Sequence, residues 1–231
     1  MPDAEPAWEL RPTYVESWGL PFTWLTATFF LLSALAHLLN ATLLQGVYLR
    51  ALADCLTPLR WIEYFFSAPI MVVLVGYTLG IRNRATTIAN AALVATTMPF
   101  GYWTEQRARP ASPDAWCDPL YVRLFPWLVG HVPQCAAWLL ILLQFYDGVA
   151  DEAADRTPAF VYAILWAELV LFFSFGAASL VSQLVPPRDF YKGEILFQVL
   201  SLVSKGALGL LLVVNVLLFS SFSEAIDNAT E

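Results

Sequence analysis

The chain has 231 residues, enough for one ordinary domain, but 58% are hydrophobic and only 13% are charged. Soluble domains run at about 45–50% and about 25%, so disorder is excluded and nearly every face must be apolar. The mean hydropathy of +0.61 agrees. A net charge of -7 argues against nucleic acid as a partner, because phosphate binding needs clustered Lys and Arg. Cys55, Cys117 and Cys135 are too few and too scattered for a disulfide framework or a Cys-based zinc site, and no metal site is expected. The composition is that of a polytopic membrane protein.

A membrane crossing needs about 20 mostly apolar residues. Six stretches reach that length, at 21–46, 56–81, 85–103, 124–146, 158–184 and 193–219. Pro21 and Pro158 sit where first-turn prolines are tolerated, and Pro58 opens the second stretch. Pro110, Pro113 and Pro119 mark the polar connection after Glu105, and Pro186 with Pro187 stops the fifth stretch. Residues 1–20 carry Asp3, Glu5, Arg11 and Glu16 and lack the basic and apolar regions of a signal peptide. The expected organisation is an external segment at 1–20, a helical bundle at 21–219 and an acidic external tail at 220–231.

Orientation depends on Lys and Arg in the short loops. One side holds Arg50, Arg60, Arg107, Arg109, Arg123, Arg188 and Lys192; the other holds Arg11, Arg82, Arg84 and Arg156. The richer side is predicted to be cytoplasmic, which puts both termini outside. The loop with Asp147, Asp151, Glu152 and Asp155 is then external. Asn228 in the tail heads a glycosylation sequon, whereas the Asn40 sequon falls inside a span and is coincidental.

Charge inside a bilayer is costly, so each ionisable residue in a span is a functional candidate. Lys205 lies mid-span in the last stretch, with about 18–21 Å of helix on either side. That is too far for a lysine to snorkel to the interface, and buried lysines are the usual amines of imine chemistry. Glu63 begins the apolar part of the second stretch, either paired with Arg60 at the interface or facing Lys205 across the bundle. His37 is mid-span and is as readily a satisfied structural residue as a functional one. His131 begins no metal pattern and is expected to pack near the Gly130–Pro133 irregularity. Glu168, within AILWAELVLFF, is open between a structural acid and a proton-relay group.

Two segments carry more than composition. RWIEYFFSAPIM in the second stretch and YKGEILFQVLSLVSKGALG in the last together resemble the heliorhodopsins, retinal proteins of inverted orientation. SALAH, FGYWTE and PAFVY with LFFSF after it are similar to further family segments, in the right order. The resemblance runs from about residue 12 to the end and implies an all-α, rhodopsin-like bundle. The family has seven helices, and six spans are visible here, equivalent to the second through seventh. The first, with a histidine of the polar cluster, is expected to be missing, through a truncated gene model or in a six-helix variant. Ser33, His37 and Asn40 share one helical face, which is expected to turn toward that gap and leave the chain less stable than a seven-helix relative.

Carried over by position, the resemblance implies all-trans retinal held on Lys205 as a protonated Schiff base. Glu63 is then its counterion and Ser201 lies beside it. Ser67, Tyr64, Met98, Gly101, Pro133, Gln134, Phe172 and Phe173 line the pocket, with Gln134 where the family often has Trp. His37, Arg60 and Glu105 belong to a polar cluster on the cytoplasmic side, and Arg60 is expected to pair with Glu105. The implied function is that of a photoreceptor for signalling or regulation, not an enzyme and not an ion pump. Membrane lipids, a homodimer and an unknown signalling partner complete the expectation. The alternatives are a light-gated proton conductor using Glu63 and Glu168, and a non-photoactive membrane scaffold.

Overall fold

A computed structural model of the chain describes residues 22–81, 83–150 and 159–213. The segments expected at 1–20 and 220–231, and Asp151, Glu152 and Asp155, lie outside the described residues. The fold is all-α. Its helices are α1 (Phe22–Ala41), α2 (Gln45–Ala53), α3 (Pro58–Thr78), α4 (Arg84–Ala108), α5 (Leu120–Ala150), α6 (Ala159–Leu184) and α7 (Phe190–Leu212). Among the described residues, five spans are long and apolar enough to cross a membrane: Phe22–Ala41, Pro58–Thr78, Leu120–Val149, Val161–Leu184 and Pro187–Leu212.

Two of the expected spans differ in kind from expectation. The first stretch is not one helix over 21–46, because α1 stops at Ala41 and α2 starts afresh at Gln45. The Thr42 hydroxyl donates to the Leu38 carbonyl at 2.7 Å, and the Leu44 N–H closes on the Leu39 carbonyl at 2.8 Å. That 6→1 closure ends α1. The third stretch, α4, is long enough at 25 residues but is not among the five most apolar spans. Its threonines explain how it still fits a bundle. The hydroxyls of Thr87, Thr96, Thr97 and Thr104 each donate to the carbonyl four residues earlier, at 2.7–3.2 Å, so those polar groups are satisfied within the helix.

Packing order places α4 between α3 and α5, α6 between α5 and α7, and α1 on α3. The core runs through Met71, Leu74, Val94, Trp138, Ile141, Leu165 and Leu208. The outward faces are equally apolar: Leu31, Leu43, Val170, Leu202 and Leu210 are mostly exposed. A surface of that kind is matched by lipid, not water. Between α2 and α3 the chain turns at Cys55, whose φ of 56° is in the left-handed region, and the Cys55 thiol donates to the Pro187 carbonyl at 3.5 Å. The three cysteines are free.

Candidate functional site

Helical spacing assembles the site. On α3 the buried residues Arg60, Glu63, Tyr64, Ser67 and Met71 recur every three or four positions, which makes one inward stripe. On α7 the same rule buries Glu194, Phe197, Ser201, Ser204 and Leu208. Lys205 flanks this stripe with 12% of its side chain exposed. Helical side chains lean toward the helix N-terminus, so the long Lys205 side chain reaches back along α7 and its Nζ pairs with Glu63 Oε1. The rings of Tyr64 and Phe29 stand 5.5 Å and 5.9 Å from that nitrogen. Ser201, one turn before Lys205, and Ser204, the residue before it, are both buried.

Beside the pair lies a narrow cavity of about 100 Å³, partly open at its mouth. Tyr64, Ser67, Met98, Gly101, Gln134, Phe172, Phe173 and Lys205 are all on its wall. Gly101 is there for a steric reason: a Cβ at this position would lie 2.1 Å from the Trp61 ring, which also lines the cavity. Pro133 is a correction. It is not a wall residue, because one step along a helix rotates the side chain by about 100°, and Gln134 takes the inward place.

Toward the α2 end, Arg60 is held between two carboxylates, Glu105 of α4 and Glu194 of α7. All three are buried. The pairing of Arg60 with Glu105 is the one expected; Glu194 is an addition. Glu105 also accepts from the Thr57 N–H at 2.8 Å and the Thr57 hydroxyl at 2.7 Å. Glu194 accepts from the Tyr48 hydroxyl at 2.9 Å and the Gln198 amide at 2.8 Å. The guanidinium lies 3.7 Å above the Phe197 ring. Burial, and then the neighbouring Glu194 charge, push the Tyr48 hydroxyl above its usual range, so it stays a donor to that carboxylate.

His37 does not join this network. It is exposed on α1, a correction to its place in the polar cluster. The buried residues of α1 are Phe29 and Ser33, and each step of four overshoots a full turn by about 40°. By His37 the stripe has rotated off the bundle. Ser33 is buried, Asn40 half-buried and His37 exposed, so the three do not share one environment.

Glu168 is fully buried, and neither of its oxygens has a hydrogen-bond partner. No hydrogen bond among the described residues joins it to Glu63. A buried polar group without a partner costs about 1–3 kcal/mol. Glu168→Leu is therefore expected to raise thermal stability by about that amount, read by thermal unfolding in detergent. A lower melting temperature would mean that the carboxyl makes a favourable interaction.

Sequence reasoning missed Glu194, Tyr48, Thr57 and Gln198 in the ion cluster, and His131 and Ser204 on the cavity wall. Glu194 carried a signal that could have been used, since an acid four residues before Gln198 at the head of an apolar helix needs a partner. His131, expected only to pack near Gly130, also faces the cavity.

The sequence matches the family described as Heliorhodopsin over residues 2–217. No curated protein matches it.

Proposed function

This chain belongs to the heliorhodopsin family, and we propose that it senses light through all-trans retinal held covalently on Lys205, with Glu63 as the counterion. Membership makes it an integral, multi-pass membrane protein and a rhodopsin-type photoreceptor with a retinal chromophore. The observation that carries the finer reading is the largely enclosed Lys205–Glu63 pair on the edge of an aromatic cavity.

The residues present fit such a group. Ser204 Oγ and Gln134 Oε1 are buried without hydrogen-bond partners, both belong to cavity-wall residues, and Gly101 keeps the indole of Trp61 close against α4. When bound, retinal supplies light absorption and isomerisation about a double bond. The chain supplies the rest. Lys205 Nζ is the point of attachment. Glu63 balances the positive charge on that nitrogen, and Ser201 and Ser204 are the polar neighbours on the same helix. Phe172 and Phe173 line the apolar wall, which favours a hydrocarbon over water.

The ion cluster gives a route for a response. Arg60, Glu105, Glu194 and Tyr48 tie α3, α4, α7 and α2 together at one end. A displacement of α7 would be felt by three other helices through it. The loop charges support both termini outside, which makes this end cytoplasmic, and a homodimer with a separate signalling partner completes the proposal. Glu168 and Glu63 are not linked by hydrogen bonds among the described residues, which favours signalling over proton conduction.

The first test is an absorption spectrum of the expressed chain after addition of all-trans retinal. A visible band is expected, and a folded chain that stays colourless would overturn the reading. Glu63→Gln should move the band to the red, because it removes the negative charge that favours the ground state. An unchanged spectrum in Glu63→Gln would assign the counterion elsewhere.

A further inference from the structure

The cavity wall supplied by α5 carries an imidazole and a carboxamide. α5 packs on α4 and α6, while Lys205 belongs to α7, which packs on α6. The α5 wall therefore lies across the cavity from the lysine. If the chromophore is attached at Nζ by its aldehyde end, as proposed above, its ring end meets this wall. Here stand His131 and Gln134, three residues apart and so on one helical face.

Both present hydrogen-bond acceptors. His131 Nδ1 lies 2.7 Å from the Trp127 carbonyl. A carbonyl only accepts, so the hydrogen sits on Nδ1 and the neutral ring keeps Nε2 as an acceptor. The ring is held in place, because it packs against Trp127 with ring centres 4.1 Å apart and planes tilted by 47°, and Trp127 Nε1 donates to the Gly176 carbonyl at 2.9 Å. A Cβ on Gly176 would fall 2.4 Å from Nε2, so glycine makes room for that nitrogen. Gln134 is 6% exposed, and its Oε1 has no partner. An unsubstituted hydrocarbon ring offers these atoms only C–H groups, and leaving the buried Gln134 oxygen unpaired disfavours such a ligand.

We infer that the α5 wall selects a retinal bearing a hydroxyl on its ring, bound through His131 Nε2 and Gln134 Oε1. A hydroxyl can donate to either acceptor, whereas a ring ketone has no hydrogen to give. The inference rests on the retinal reading above but fails separately from it.

The test is a competition. The 231-residue chain is incubated in the dark with equal amounts of all-trans retinal and its ring-hydroxylated and ring-keto analogues. The bound retinoid is then trapped, extracted and identified by chromatography. The hydroxylated form is expected to be enriched about tenfold over plain retinal, with the keto form not enriched. Gln134→Leu, which nearly conserves volume, and His131→Phe should each reduce that preference severalfold, read as the ratio of hydroxylated to plain retinoid recovered. Binding of plain retinal without preference for the hydroxylated form overturns this inference and leaves the retinal reading intact. A preference undiminished in both variants overturns the assignment to this wall. A chain that binds no retinoid overturns both.

Discussion

Lys205→Ala is expected to abolish the visible band and any retinal adduct trapped by borohydride, a complete loss and not a shift. The chain contains two lysines, Lys192 and Lys205. Lys192 is exposed and paired with Asp189 at 2.7 Å, so it cannot substitute at the cavity. Arginine cannot either, since its guanidinium does not condense with an aldehyde under these conditions. The single variant also leaves Glu63 as a buried carboxylate without its partner, which costs about 3–5 kcal/mol. Loss of colour could then be blamed on unfolding. Lys205→Ala combined with Glu63→Gln removes both charges, should recover most of the stability, and should remain colourless. A covalent adduct in the double variant would place the linkage on another residue.

How much of this site was legible in the sequence depends on the kind of signal each residue carries. Lys205 and Glu63 stood out because charge in an apolar run is rare and costly, and their pairing could be read from depth along two helices. Arg60 with Glu105 was reachable in the same way. His37 carried the same local signal and is exposed on α1, because burial depends on how far a helix stays in contact with its neighbour, which periodicity does not specify. Hydropathy marked all six long helices, yet the break at Thr42 rests on one hydroxyl and one 6→1 closure that no window average registers. The α5 wall was hidden for a different reason. His131 and Gln134 are three residues apart, but their meaning comes from Gly176 and Trp127, and only packing brings Gly176 to the imidazole.

Arg60→Met is expected to destabilise the protein by about 3–5 kcal/mol, read by thermal or denaturant unfolding in detergent. The formal charges of the cluster are one positive and two negative, and all three side chains are buried. Removing the cation leaves Glu105 and Glu194 as like charges in an apolar interior. Their remaining donors, Thr57 for one and Tyr48 with Gln198 for the other, are neutral and cannot offset that repulsion. Methionine keeps most of the stacking on Phe197, so the loss reports charge more than packing. Glu105→Gln should cost less, because Arg60 keeps Glu194 and Thr57 still finds an amide oxygen. The sharpest check is the triple variant Arg60→Met, Glu105→Gln, Glu194→Gln. With no charge left in the cluster it should regain most of the stability lost by Arg60→Met alone, since neutral buried groups of similar volume are tolerated where an unpaired ion is not. If the triple variant is as unstable as the single one, the cluster stabilises the bundle through shape, and its charges contribute little.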